Sequence, residues 1–293
     1  MQPTTLGLGL TPARRRFKLH GGSNNHFLIT ALIGLDAVRD GKAVLSPEFS
    51  TSWEPHNPEQ SSLRSRAYIL STSLVWITEL VSAYRKALLS TPGLSLNISN
   101  PGDAGSAKKL NELAKSLNLG GNPSLLLVQL GMEWRNIVVH TDRTSVPGTL
   151  RGALLLNRAH YLKAHRGLEI SRTIERAEAG ESPTFKDIAS IIAAAHDLIS
   201  QIDERAIDQL RLEQYADSIL RRYVSNSSDQ ALTLVKLWPG STDRTEKRLV
   251  SILINGGMRT DPISKNTVSQ QYITATSELS VREAREKFLD SEA

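Results

Sequence analysis

From Ser124 to His140 the chain reads SLLLVQLGMEWRNIVVH, apolar almost all the way round. A helix with that pattern has to be enclosed by other elements, so the fold must be large enough to surround it. Four of the polar residues in the run, Gln129, Glu133, Asn136 and His140, fall at offsets of four, three and four. At about 3.6 residues per turn those offsets stack into one stripe along one face. Arg143 extends the stripe if the helix continues. Arg135 stands about a quarter turn off it, and its long side chain can swing into line. The stripe is either a chemical cluster on a core helix or simply that helix's wet side.

Enclosing such a helix takes further helices, and the periodicity supplies them. Residues 1–24 combine Thr, Pro and Gly with Arg14, Arg15 and Arg16, and read as a mobile N-terminal arm. Helical spacing of Phe27, Leu28, Ala31, Leu32, Leu35 and Val38 then predicts a helix from an Asn25 cap to Gly41. A proline-rich loop over 41–60 carries Phe49 and Trp53, aromatics suited to pinning the loop on a core. A long helix is expected from Ser61 or Ser62 to Leu89, and a short one over 106–118. The break at Gly120-Gly121-Asn122 follows, with Pro123 placed for the first turn of the apolar helix.

Beyond Pro147-Gly148, helix is expected from about Leu150 to Ala179 with a break at Gly167. Arg151, Arg158, His165 and Arg172 recur there at sevens and share a face with leucines. Such groups are paired, snorkelled or aimed at an anion. Residues 184–223 read as one helix or two. The character changes near 225, after which Trp238-Pro239-Gly240 marks a turn and Ser280–Asp290 a charged helix. The expected class is therefore all-α. Its domains are an arm over 1–24, a helical domain over 25–224 and an accessory C-terminal region over 225–293.

The chain of 293 residues has no cysteine, which removes disulfides, thiolate metal sites and thiol nucleophiles. Its 35 Lys and Arg against 30 Asp and Glu give +5, a balance that permits a polyanionic partner without demanding one. No uninterrupted apolar run reaches the roughly 18 residues of a membrane span, so a cytoplasmic protein with no membrane partner is expected. The histidines, at 20, 26, 56, 140, 160, 165 and 196, include no pair at the i, i+4 spacing of a helical zinc motif. No phosphate-binding glycine loop or nucleophile elbow is present either. No metal and no cofactor is expected.

What remains is Arg135-Asn136-Ile137-Val138-Val139-His140. RNA can be cut without a metal if a base takes the 2′-hydroxyl proton, an acid protonates the leaving 5′-oxygen, and a cation steadies the phosphorane. Histidine suits the first two tasks and arginine the third, while Asn136 can orient either partner. One motif supplies one histidine. The motif alone therefore does not give both acid and base in a monomer, and two copies facing across a two-fold axis would provide both.

Arg135-Asn136, three residues, then His140, on the late part of an apolar helix, resembles the catalytic motif of the HEPN (higher eukaryotes and prokaryotes nucleotide-binding) superfamily. The resemblance spans roughly residues 25–180. It implies a HEPN-like antiparallel helical bundle that homodimerises into a composite active site, and metal-independent endoribonuclease activity on an RNA substrate. It also implies a toxin or antiviral, abortive-infection role with an antitoxin or defence-system partner protein. By the same resemblance Arg135 contacts the phosphate, Asn136 orients, and His140 is the acid or base. Asp142 departs from those members that carry a tyrosine shortly after the histidine. Glu133, Arg143, Arg158 and His165 are candidate substrate-binding residues. The alternative is a catalytically inactive HEPN-like RNA- or nucleotide-binding module acting as a regulator.

Overall fold

The structure is a computed structural model, and it describes residues 5–43, 46, 48, 56–98, 102, 104–139, 145–262 and 264–290. His140 and Arg143, with Asp142, lie outside the described residues, as do Phe49 and Trp53. The fold is all-α: thirteen α-helices and one π-helical turn, with no strand among the described residues. Two compact units divide the chain. A central unit comprises Arg16–Arg85 and Ile98–Ile202, and a terminal unit comprises Met1–Arg15, Lys86–Asn97 and Asp203–Ala293.

The central unit is built round α4 (Pro123–Val139), which is buried from Ser124 to Met132 apart from Gln129 and again at Trp134. Asn122 caps it: its Oδ1 accepts from the Ser124 amide at 2.8 Å, satisfying one of the donors a helix start leaves open. Around α4 lie most of α1 (Pro12–Arg39) and α2 (Pro58–Leu89), together with α3 (Ser106–Ser116). The short helices α5 (Gly148–Leu156), α6 (Arg158–Ala164) and α7 (Ile170–Glu178) follow, and then the first part of α8 (Phe185–Gln209). Close approach is fixed at Gly131, where an added Cβ would lie 3.1 Å from Ile191 of α8 and 3.6 Å from Leu74 of α2. Trp134, fully buried, donates from Nε1 to the Glu181 carbonyl at 3.0 Å, and Tyr161 donates to the Pro123 carbonyl at 2.9 Å. Both of these ring tips therefore have a partner inside the apolar packing.

The α7–α8 corner turns on Asp187, which is fully buried. Thr184 caps α8 through a reciprocal pair of bonds with Asp187, at 3.2 Å to the Asp187 amide and 2.9 Å from its own. Thr173 and a two-nitrogen contact from Arg176 complete the carboxylate's partners. A buried carboxylate without such partners would be strongly destabilising.

The terminal unit contains α9 (Leu212–Ser225), α10 (Gln230–Leu237), α11 (Thr242–Asn255), α12 (Gln270–Ser277), α13 (Val281–Arg285) and the π turn Glu286–Asp290. Leu6, Leu8, Leu220, Trp238, Leu253 and Phe288 belong to its core, with Trp238 stacked on Phe288 at 5.6 Å. Ser280 opens α13 with a capping box to Glu283.

Two expectations are corrected. Residues 5–24 are not a mobile arm: Leu6 bridges Val268, Leu8 is buried, and α1 is already helical from Pro12. Thr11 donates its amide to the buried Asp203 at 3.1 Å, which ties this segment down. Gly21 and Gly22 lie inside α1, and Gly21 is small because His196 packs there, 3.1 Å from where a Cβ would be. The boundary expected near 225 falls instead at Ile202/Asp203. Tyr215, Ile219 and Leu220 of α9 share one core with residues 234–288, a pairing that helical periodicity cannot express. Long as it is, α2 is apolar enough over one 18-residue window to cross a membrane by length and composition, yet its Leu70, Leu74, Ile77 and Val81 are buried in the protein.

Candidate functional site

The last two turns of α4 change character. Ile137 is partly buried, and Val138 and Val139 are 38% and 48% exposed, so the rod emerges from the core where the Arg-Asn pair stands. Arg135 is 27% exposed. Its Nη2 donates to Glu79 Oε1 of α2 at 2.8 Å, and its Nη1 donates to Asn136 Oδ1 at 3.1 Å. Its Nε is buried without a hydrogen-bond partner among the described residues. The guanidinium is therefore held by two acceptors that fix the plane of its fork, the geometry that suits arginine to phosphate oxygens.

Asn136 orients Arg135 through its carbonyl oxygen, which leaves its amide nitrogen as the donor end of the side chain. Glu79 was not foreseen in the sequence. It stands 56 positions before Arg135, and no short-range spacing links the two. Only the packing of α2 beside α4 makes it a neighbour. Gln129, on the same stripe, donates to the Ala107 carbonyl at 3.3 Å and is thereby used to hold α3. Glu133 is partly buried in the turn between them.

Arg158 and His165 are not brought to this cluster. Tyr161, between them on α6, bonds the carbonyl of Pro123 at the first residue of α4. Arg135 stands twelve residues further along that helix, roughly 18 Å at 1.5 Å per residue. Arg158 pairs with Glu169 at 3.0 Å on an exposed face, and Arg151 pairs with Glu178 at 2.9 Å. These two arginines of the seven-residue series are thus surface partners of carboxylates.

His165 lines a separate concavity of about 350 Å³ with Arg166, Phe185, Lys186 and Ser190. Burial pushes its pKa below the ordinary histidine value; the nearby His160 pushes the same way, and Asp197 opposes both. Arg166 has φ +49°, a left-handed conformation that a residue with a Cβ seldom adopts.

Comparison with protein-family models, with curated proteins and with solved structures finds no match to this chain.

Proposed function

We propose that this protein is a metal-independent endoribonuclease of the HEPN type, a toxin or antiviral effector of the cytoplasm, cutting RNA by 2′-hydroxyl transesterification. The observation that carries this reading is the Arg135 guanidinium, oriented by Asn136 and Glu79 where α4 leaves the core. In this reading Arg135 binds the scissile phosphate and steadies charge on the phosphorane, and Asn136 fixes its fork. His140, by sequence one turn after Asn136, is the acid or base. A second copy of the chain supplies the other histidine, and the exposed Val138 and Val139 give the site an apolar margin for it.

Purified protein is expected to cleave RNA in the presence of EDTA and to leave 2′,3′-cyclic phosphate ends. Arg135→Ala and His140→Ala are each expected to lower the rate by at least about 100-fold, the scale of a lost acid–base group or charge stabiliser. Cleavage that persists in His140→Ala, or that needs added Mg²⁺, sinks the mechanism. The ion pair to Glu79 favours one rival, an inactive RNA- or nucleotide-binding regulator, because it already occupies part of the guanidinium. That rival predicts salt-sensitive RNA binding with no turnover.

A further inference from the structure

The terminal unit holds a concavity that the α4 reading does not use. Its walls are α9, α10 and α11, and its two adjoining lobes measure about 470 and about 620 Å³. Both lobes are lined by Tyr223, Thr233, Ile252 and Asn255, so they form one groove. Ligand pockets commonly fall within about 300–1,000 Å³. The groove is also closely built: an added Cβ at Gly256 would lie 2.5 Å from Ile219, so the end of α11 sits directly against α9.

Its charge is one-sided. Arg222 comes from α9, Lys236 from α10 and Arg248 from α11, and no carboxylate lines either lobe. None of the three cations makes an ion pair among the described residues. The carboxylates of α11 are used elsewhere, Asp243 by Lys247 at 2.8 Å and Glu246 as acceptor of the Thr274 hydroxyl at 2.7 Å. The Arg248 guanidinium donates from Nη1 to the Lys236 carbonyl, which holds its head at the end of α10. Arg222 lines the smaller lobe and Lys236 and Arg248 the larger, and cations without an ion-pair partner raise the local potential and select an anion.

Two further features ask for more than a bare anion. Tyr223 is 48% exposed, lines both lobes and has no aromatic partner among the described residues, so its ring is a candidate stacking platform. Asn226 and Asn255 each bring an amide donor and a carbonyl acceptor to the groove, the pair of functions that a base edge presents in return. A ring platform, amides and cations together are the components of single-stranded nucleic-acid pockets.

We infer that the α9–α10–α11 groove binds a nucleotide, free or within an RNA strand. The base stacks on Tyr223, the amides meet its edge, and Arg222, Lys236 and Arg248 take the phosphate. This holds whether or not the α4 cluster cuts RNA, since the residues involved are all in the terminal unit.

The test uses full-length protein in a His140→Ala background, so that any cleavage by the α4 site does not consume the probe. A short 5′-fluorescein-labelled RNA is titrated by polarisation, with AMP and inorganic phosphate as competitors. AMP is expected to displace the RNA at much lower concentration than phosphate does. If AMP binds directly in calorimetry while the RNA does not, the free nucleotide is the ligand and the inference stands. Tyr223→Ala is expected to weaken binding about tenfold, within the range for losing one base stack, whereas Tyr223→Phe stays within about twofold. Arg222→Gln with Arg248→Gln is expected to weaken binding and flatten its salt dependence. Circular dichroism checks that each variant keeps its helices. Phosphate competing as well as AMP, or affinity unchanged in Tyr223→Ala and in the arginine double variant, would overturn the inference.

Discussion

Single side chains in this protein owe their properties to what surrounds them, and His165 is a titratable example. Its imidazole sits partly enclosed beside Tyr161 and His160, and its concavity also holds Arg166 and Lys186. Burial disfavours the charged ring, His160 adds repulsion, and Asp197 only partly offsets them, so the folded-state pKa lies below the ordinary value of 6.5. As pH falls, the unfolded chain therefore takes up the proton first. The stabilisation from a neutral His165 is complete above about pH 6.5 and is lost as the pH drops toward the lower folded value. Thermal midpoints measured at pH 7.5 and pH 5.5 should fall further in the wild type than in His165→Gln. An equal fall in both would show that other groups carry the pH dependence. Arg135 is the converse case, a permanent charge whose behaviour is set by position. The sequence placed it on a core helix next to Asn136. It could not show that Glu79 holds it, because a carboxylate on another helix leaves no local spacing to read.

At the scale of elements, the strongest patterns were read nearly as they fold. The apolar run is α4, the leucine and isoleucine spacing marks α2, α3 and α8, and the charged helix expected over 280–290 is α13 followed by a π turn that its pattern does not reveal. Breaks were harder, since glycine is ambiguous: it ends helices, and it also lets them approach. Gly167, at φ +81°, does end a helical stretch, whereas Gly21 and Gly22 lie inside α1. These two neighbouring glycines of α1 separate the roles. An added Cβ at Gly22 meets nothing within 4 Å, while one at Gly21 meets the His196 ring at 3.1 Å, a ring itself packed edge-on to Phe17 at 4.9 Å. Gly22→Ala should raise stability by about 0.5–1 kcal/mol, through the lower entropy of the unfolded chain and better helix propensity. Gly21→Ala should instead lower it by about 1 kcal/mol, because the crowded ring has to move. Urea denaturation of both variants checks the contrast. A gain at both positions would mean that Gly21 is an unused residue and that His196 packs loosely.

At the scale of the whole molecule, the central unit leaves apolar side chains uncovered on several helices. Phe27 and Ile33 of α1 are 66% and 64% exposed, and Tyr68 of α2 is 74% exposed. Scattered apolar residues are ordinary on a protein surface, so exposure alone does not identify an interface. The end of α4 is different because the proposed chemistry makes a demand there. Transesterification in which histidine serves as both acid and base calls for two histidines, and one Arg-Asn-x3-His motif has one. A second copy meeting the first across a two-fold axis meets that demand, and the same patch must then face itself. Val138 and Val139 lie in the last turn of α4, three and four positions after Arg135, so a self-facing patch centred on the motif must include them. Replacing both with Asp places four like charges across such an axis while leaving the buried part of α4 untouched. In that variant, sedimentation velocity should show the shift from dimer to monomer. RNA cleavage should fall by at least about 100-fold, as expected when one of two acid–base partners is removed, while helicity stays at the wild-type level. A wild-type chain that sediments as a monomer and still cuts RNA would require both proton transfers from one copy. The composite site would then have to be abandoned.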